Sequence, residues 1–132
     1  MTAVLIDANV LLDVMTEDAH WSAWSAEAIE RVADRYRLVI NPVIYAEIAS
    51  GFATMAELDA RLGDFRRLTL PNEAGFVAGR AFVEYRRNGG VRTSPPPDFY
   101  LGAHAAIAGL KLLTRDAKRY RGYFPSVLMI SP

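Results

Sequence analysis

The chain predicts an α/β sandwich around a mostly parallel sheet, and three observations carry that expectation. Short apolar, partly β-branched runs recur along its 132 residues, among them Val4-Leu5-Ile6, Leu38-Val39-Ile40 and Leu110–Thr114. Between these runs lie segments with helical spacing and helix start and stop signals. No repeat, low-complexity tract or linker breaks the alternation, so residues 1–132 read as one domain. Strands that alternate with helices argue for a parallel sheet covered by its crossovers.

Each element follows from local chemistry. Met1–Ile6 is an apolar run that stops at Asp7 and reads as a buried first strand. Asn9–Met15 is helical in pattern, and Trp21–Arg35 is a longer amphipathic helix with Trp24, Ala28, Ile29 and Val32 on one side. Leu38–Ile40 is the second strand. Asn41-Pro42 then supplies an N-cap and a first-turn proline to a helix that carries Val43, Ile44, Glu47 and Ile48 and stops near Gly51. Met55–Gly63 is another helix, Arg67–Leu70 a third strand, and Asn72–Arg87 a long helix closed by Asn88-Gly89-Gly90. The triple proline 95–97 is a stiff lead into a small-residue helix over Pro97–Gly109. Leu110–Thr114 and Val127–Ile130 are the last two strands. Trp21 and Trp24 are expected in the core, and His104, among alanines, is expected to be structural.

Composition removes several classes of function. The chain has no cysteine, which excludes disulfide scaffolds, thiolate metal sites and thiol nucleophiles. Two histidines, His20 and His104, cannot build a His-rich zinc centre. No run approaches the roughly 20 apolar residues of a membrane helix. Met1–Asp13 lacks a basic leader and already holds two carboxylates, so an intracellular, cytoplasmic protein is expected.

The net charge is zero, but it is distributed unevenly. Residues 1–60 hold ten acidic and three basic residues, and residues 61–132 hold five acidic and twelve basic. The halves therefore carry −7 and +7, and thirteen of the fifteen basic side chains are arginine. Arginine makes planar, bidentate contacts with phosphate or carboxylate, which points to a polyanionic substrate or an acidic partner. Arg115, Lys118, Arg119 and Arg121 form one basic cluster, and Arg86, Arg87 and Arg92 another. Such clusters position nucleic acid without reading its sequence, though a solvated basic face accounts for them equally.

In open parallel sheets, functional groups gather beyond the carboxyl ends of the strands. Asp7 follows the first strand directly, and Thr114, Arg115 and Asp116 follow the fourth. Glu47 lies about a turn and a half into the helix after the second strand, and Asp98 lies in the first turn of the Pro97 helix. Four carboxylates are thus expected at one sheet edge. They repel one another and are costly to desolvate, so a cation or partial protonation must stabilise them. An all-oxygen donor set without Cys or a His pair suits Mg²⁺ or Mn²⁺. Water activated by such an ion is then the most economical hydrolytic chemistry, since no Ser-His or Cys-His nucleophile is available. Asn9 and Thr114 are candidate supporting groups that would orient a carboxylate. Each residue has a plainer role: Asp7 as a helix N-cap, Glu47 in a surface ion pair, Asp98 on a helix dipole, Asp116 as the cap of a short turn.

Four segments together resemble the PIN-domain superfamily, and most closely the VapC-type toxins of bacterial toxin–antitoxin pairs. Val4-Leu5-Ile6-Asp7-Ala8-Asn9-Val10-Leu11 resembles the family's first strand and D-x-N start. Asn41-Pro42-Val43-Ile44-Tyr45-Ala46-Glu47 resembles its second acidic segment, and Pro97-Asp98-Phe99-Tyr100-Leu101-Gly102-Ala103-His104-Ala105 its third. Leu112-Leu113-Thr114-Arg115-Asp116, with Arg119-Tyr120 and Tyr123-Phe124-Pro125, resembles its C-terminal block. The resemblance implies a compact three-layer α/β/α fold and a metal-dependent endoribonuclease, silenced by a cognate antitoxin and commonly a homodimer. It assigns metal binding and catalysis to Asp7, Glu47, Asp98 and Asp116, with Thr114 in support. Residues 50–95 match no motif of the family closely. RNA-backbone contacts are expected from Arg115, Lys118 and Arg119.

Two other classes compete. A receiver-type phosphoacceptor domain would want an acidic pair after the first strand, Asp after the third and Lys after the last. This chain has Asp7 alone, Leu70-Pro71-Asn72, and no such lysine. A haloacid-dehalogenase-type phosphatase would want D-x-D where Asp7-Ala8-Asn9 stands. A non-catalytic interaction module, using the acidic half and apolar helices, is the third reading.

Overall fold

The computed structural model describes residues 2–132 and builds one five-stranded sheet in the order β3-β2-β1-β4-β5, with every pairing parallel. The strands are β1 (Ala3–Ile6), β2 (Arg37–Ile40), β3 (Arg66–Arg67), β4 (Lys111–Leu113) and β5 (Met129–Ile130). Between β1 and β2 lie α1 (Ala8–Met15) and α2 (Ser22–Ala33), and between β2 and β3 lie α3 (Pro42–Ala49) and α4 (Met55–Leu62). The crossing from β3 to β4 uses α5 (Asn72–Arg87) and α6 (Pro97–Ala108), and α7 (Lys118–Arg121) precedes β5.

The expected α/β/α sandwich is therefore present, with a wholly parallel sheet. Val4, Leu5 and Ile6 are consecutive and each is 0% exposed, so β1 is covered on both faces and the sheet is the middle of three layers. The core around β1 is aliphatic, from Val10, Val39, Ile40, Ile44, Leu101, Leu112 and Leu113.

Local chemistry sets several boundaries. Asn41 Oδ1 accepts the Ile44 amide at 3.0 Å and caps α3, whose first residue is Pro42. Thr54 caps α4 in the same way through the Glu57 amide. Gly109 ends α6 at φ 67°, a left-handed position that favours glycine. Gly102 on α6 lies where a Cβ would collide with the Phe124 ring, so its lack of a side chain lets the C-terminal segment pack against α6.

Strand boundaries shift, the fourth strand narrowing to Lys111–Leu113 and the last to Met129–Ile130. The third strand is Arg66–Arg67 rather than Arg67–Leu70. Its pairing with Val39 and Ile40 ends with the Leu68 amide on the Ile40 carbonyl, and Thr69-Leu70 leave the ladder. The first strand begins at Ala3, Met1 lying outside the described residues. The short α7 follows no apolar period, and it turns Tyr120 inward, where that side chain is 1% exposed. Among the described residues no helix is long and apolar enough to cross a membrane.

Candidate metal centre

The strand order places the reversal of winding between β1 and β4, since chain connections run one way from β1 to β3 and then return to β4. A crevice opens beyond the carboxyl ends of the strands at such a switch point. Asp7 ends β1 there, its amide held by the Leu113 carbonyl at 2.9 Å. Thr114 ends β4 beside it.

Asp7 is 5% exposed and occupies the N-cap position of α1, yet its side chain makes no cap hydrogen bond. The plain N-cap role therefore does not hold. Instead Asp7 Oδ2 accepts two hydroxyls, Thr114 Oγ1 at 2.8 Å and Tyr120 Oη at 2.7 Å. Thr114 Oγ1 in turn accepts the Asp116 amide at 3.1 Å and faces Asn9 Nδ2 at 3.5 Å. Asp7 is thus fixed through one oxygen by two donors, which leaves its other oxygen for a ligand. Burial and the Asp7 carboxylate drive the Tyr120 hydroxyl far up, so it stays protonated and remains a donor. Tyr120 was not among the expected site residues; its place directly after Arg119 in the C-terminal block was the one available signal.

A cleft of about 370 Å³ brings together Asp7, Glu47 and Asp98, with Arg92, Arg119, Tyr85 and Tyr123 on its walls. Glu47 and Asp98 are half-buried. Burial, together with the Asp7 and Asp98 charges, pushes the Glu47 carboxyl up to about 7. Burial also raises Asp98, against the pull of Arg119 and Arg92. These upward shifts are the electrostatic mark of like charges gathered in a half-solvated cleft.

Asp116 is not on this cleft. It lies in an adjoining recess with Trp21, Arg115, Lys118 and Arg121, and its Oδ2 takes Arg119 Nε at 2.7 Å. The four expected carboxylates therefore divide three and one, bridged by Arg119, which lines the cleft while pairing with Asp116. Nor are the three drawn into a tight cage: among the described residues no three His, Asp or Glu side chains form a ready-made metal-ligand group.

Of the expected RNA contacts, Arg115 is already committed. Its guanidinium forms a bidentate pair with the buried Asp13, at 2.8 Å from Nε and 3.2 Å from Nη2, and lies over the Trp21 ring. Ser25 donates to the same Asp13 at 2.8 Å. Lys118 and Arg121 remain exposed on the recess. His104 is buried as expected, its proton affinity lowered by burial, and the Asn41 amide donates to its Nδ1 at 3.1 Å. That contact ties α6, which carries Asp98, to the cap of α3, which carries Glu47.

Fold and cleft together define an α/β protein with an acid-lined site at the switch point of a parallel sheet. A family model described as the PIN domain matches residues 4–124, and the chain belongs to the PIN domain family. Its fold is that of chains in the VapBC2 complex of Rickettsia felis bound to a promoter DNA fragment (14% identity, 99% of each chain covered, TM-score 0.74). VapBC-1 from nontypeable Haemophilus influenzae is similarly alike (16%, 98% of each chain, TM-score 0.75). So is FitAcB from Neisseria gonorrhoeae (18%, 98% of this chain and 97% of the other, TM-score 0.66). No curated protein sequence matches the chain.

Proposed function

We propose that this protein is a divalent-metal-dependent endoribonuclease of the cytoplasm, the toxin of a toxin–antitoxin pair. The observation that carries the reading is the gathering of Asp7, Glu47 and Asp98 in one cleft beside the guanidinium groups of Arg92 and Arg119. Membership of the PIN family supports it, as does the likeness in fold to chains of toxin–antitoxin complexes. The partners that follow are RNA, a cognate antitoxin and a second copy of the chain.

The donor set fits Mg²⁺ or Mn²⁺. It is all oxygen, burial and the Asp7 and Asp98 charges raise Glu47, and among the described residues Asn9 Oδ1 is a buried acceptor without a partner beside Thr114. Asp7, Glu47 and Asp98 would hold the ion, with Asp116 outside the first set of contacts. When bound, a divalent ion supplies activation of water and neutralises charge on the phosphodiester. The chain's own residues do the rest. Thr114 and Tyr120 lock the orientation of Asp7, and Glu47, whose carboxyl burial pushes up to about 7, would ionise fully as the cleft takes up positive charge. Arg119 and Arg92 face the phosphate backbone. Attack by water in line leaves a 5′-phosphate and a 3′-hydroxyl.

The test is cleavage of RNA by purified protein with Mg²⁺ or Mn²⁺, against EDTA and against Asp98→Ala. Cleavage requiring both the metal and Asp98, with 5′-phosphate ends, is expected. A 2′,3′-cyclic phosphate as primary product would overturn the route, because it makes the ribose hydroxyl the nucleophile.

A further inference from the structure

Residues 88–95, between α5 and α6, belong to the region that resembles no family motif, yet their backbone is tied down in detail. Gly89 turns the chain at φ 89°, and the Gly90 amide returns to the Tyr85 carbonyl at 2.9 Å. Gly90 then passes so close to the Tyr85 ring that a Cβ would collide with it. Tyr85 Oη accepts two successive amides, Val91 at 3.2 Å and Arg92 at 3.3 Å. Arg86 Nη1 donates to the Arg92 carbonyl at 2.8 Å. Both backbone polar groups of Arg92 are therefore held by side chains from the last turn of α5. The Tyr85 ring is itself fixed among Phe82, Phe99 and Tyr123, with centroids 5.6, 5.7 and 6.4 Å away.

This bracing has one evident consequence: it aims the Arg92 side chain. Arg92 is exposed, lines the carboxylate cleft and is felt electrostatically by Asp98. Among the described residues it makes no ion pair. Arg115 and Arg119, by contrast, are each paired with a carboxylate. A planar guanidinium that reaches the cleft with its donors free can grip two oxygens of one oxyanion, and phosphate is the oxyanion a nuclease brings. Ordering an exposed loop around one residue also lowers the entropy lost when that residue binds.

We propose that Arg92 binds a backbone phosphate of single-stranded RNA in the cleft, and that Tyr85, reached through the close turn at Gly90, is its positioning residue. The inference rests on the nuclease reading for its substrate class, but it is tested by binding rather than by turnover. The full chain is titrated in EDTA against a fluorescein-labelled single-stranded RNA across a range of salt, with anisotropy as the readout. Arg92→Gln is expected to weaken binding about tenfold and to reduce the salt slope by about 0.7, as loss of one phosphate contact on a single strand should. Tyr85→Phe keeps the ring and its packing, and should shift binding the same way by less. Because Tyr85 acts through Arg92, the double variant should bind no more weakly than Arg92→Gln alone.

Wild-type affinity and slope in Arg92→Gln would overturn the proposal, as would strictly additive losses in the double variant or no RNA binding by the wild type. Cleavage with Mn²⁺ is scored separately on the same RNA. Binding through Arg92 without any cleavage would sink the nuclease reading and leave the phosphate site standing. Cleavage with an unaltered Arg92→Gln variant would do the reverse.

Discussion

Tyr120 and Asp7 lie 113 positions apart in the chain, and the Tyr120 hydroxyl donates to Asp7 Oδ2 at 2.7 Å. Thr114 donates to the same oxygen, so two residues from the C-terminal block orient a carboxylate at the end of the first strand. Supporting contacts of this kind set how precisely a carboxylate presents its free oxygen.

Tyr120→Phe removes one of those donors while keeping the buried ring. It is expected to reduce Mn²⁺ affinity and cleavage about 10- to 100-fold, at a stability cost of about 1 kcal/mol. Calorimetric titration with the ion alone, beside thermal unfolding, checks both; wild-type affinity would show that Thr114 suffices.

The raised Glu47 carboxyl predicts an unusual pH dependence in protein stripped of divalent ions. Between about 4.5 and 7 the native state binds the Glu47 proton and the unfolded chain does not, so stability from this group falls as pH rises. Allowing for its half-solvated position, the loss is about 1–2 kcal/mol. Asp98 acts with the same sign. His104, whose proton affinity is lowered, opposes them, because the unfolded chain protonates first as pH falls. Glu47→Gln should therefore abolish most of the fall, and Mg²⁺ should stabilise the wild type increasingly across the same window. Melting temperatures in EDTA from pH 5 to 8 decide it.

Arg115 is predicted to matter more for stability than for RNA. Asp13 is 3% exposed, and Arg115→Met would leave its charge uncompensated, at about 3 kcal/mol. The paired replacement Asp13→Leu with Arg115→Met should recover most of that loss, because both charges leave together. Urea unfolding of the two variants is the measurement; equal destabilisation would mean that shape, not charge, governs the site.

Asp98 and Asp116 should separate in kinetics. Asp98 faces Glu47 and Asp7 across the cleft, whereas Asp116 is paired with Arg119 in the next recess. Asp98→Asn is expected to abolish cleavage. Asp116→Asn should lower it by about tenfold or less, through a freed Arg119. Single-turnover cleavage compares them directly.

Much of the fold was legible because its signals are local. The limits of α5 at Asn72 and Arg87, the N-cap at Asn41 and the buried run at β1 follow from turn chemistry, capping and periodicity within a few residues. The acidic character of the cleft was legible for a related reason: the chain has no Cys and few His, and three of the four carboxylates singled out in the sequence, Asp7, Glu47 and Asp98, line it.

The remainder depended on distance in space. β3 is two residues long because its ladder with β2 ends there, which no property of Leu68 or Leu70 announces. The pairing of Arg115 with Asp13 on α1, 102 positions away, has no trace in the sequence. Sequence alone determined the alternation of strands and helices and the oxygen-only chemistry, because those depend on residue type and near neighbours. Only the tertiary structure decided which oxygens converge: strand order puts Asp7 beside Thr114 and Tyr120, and the packing of α3 and α6 brings Glu47 and Asp98 to the same cleft while Asp116 pairs with Arg119 in the recess.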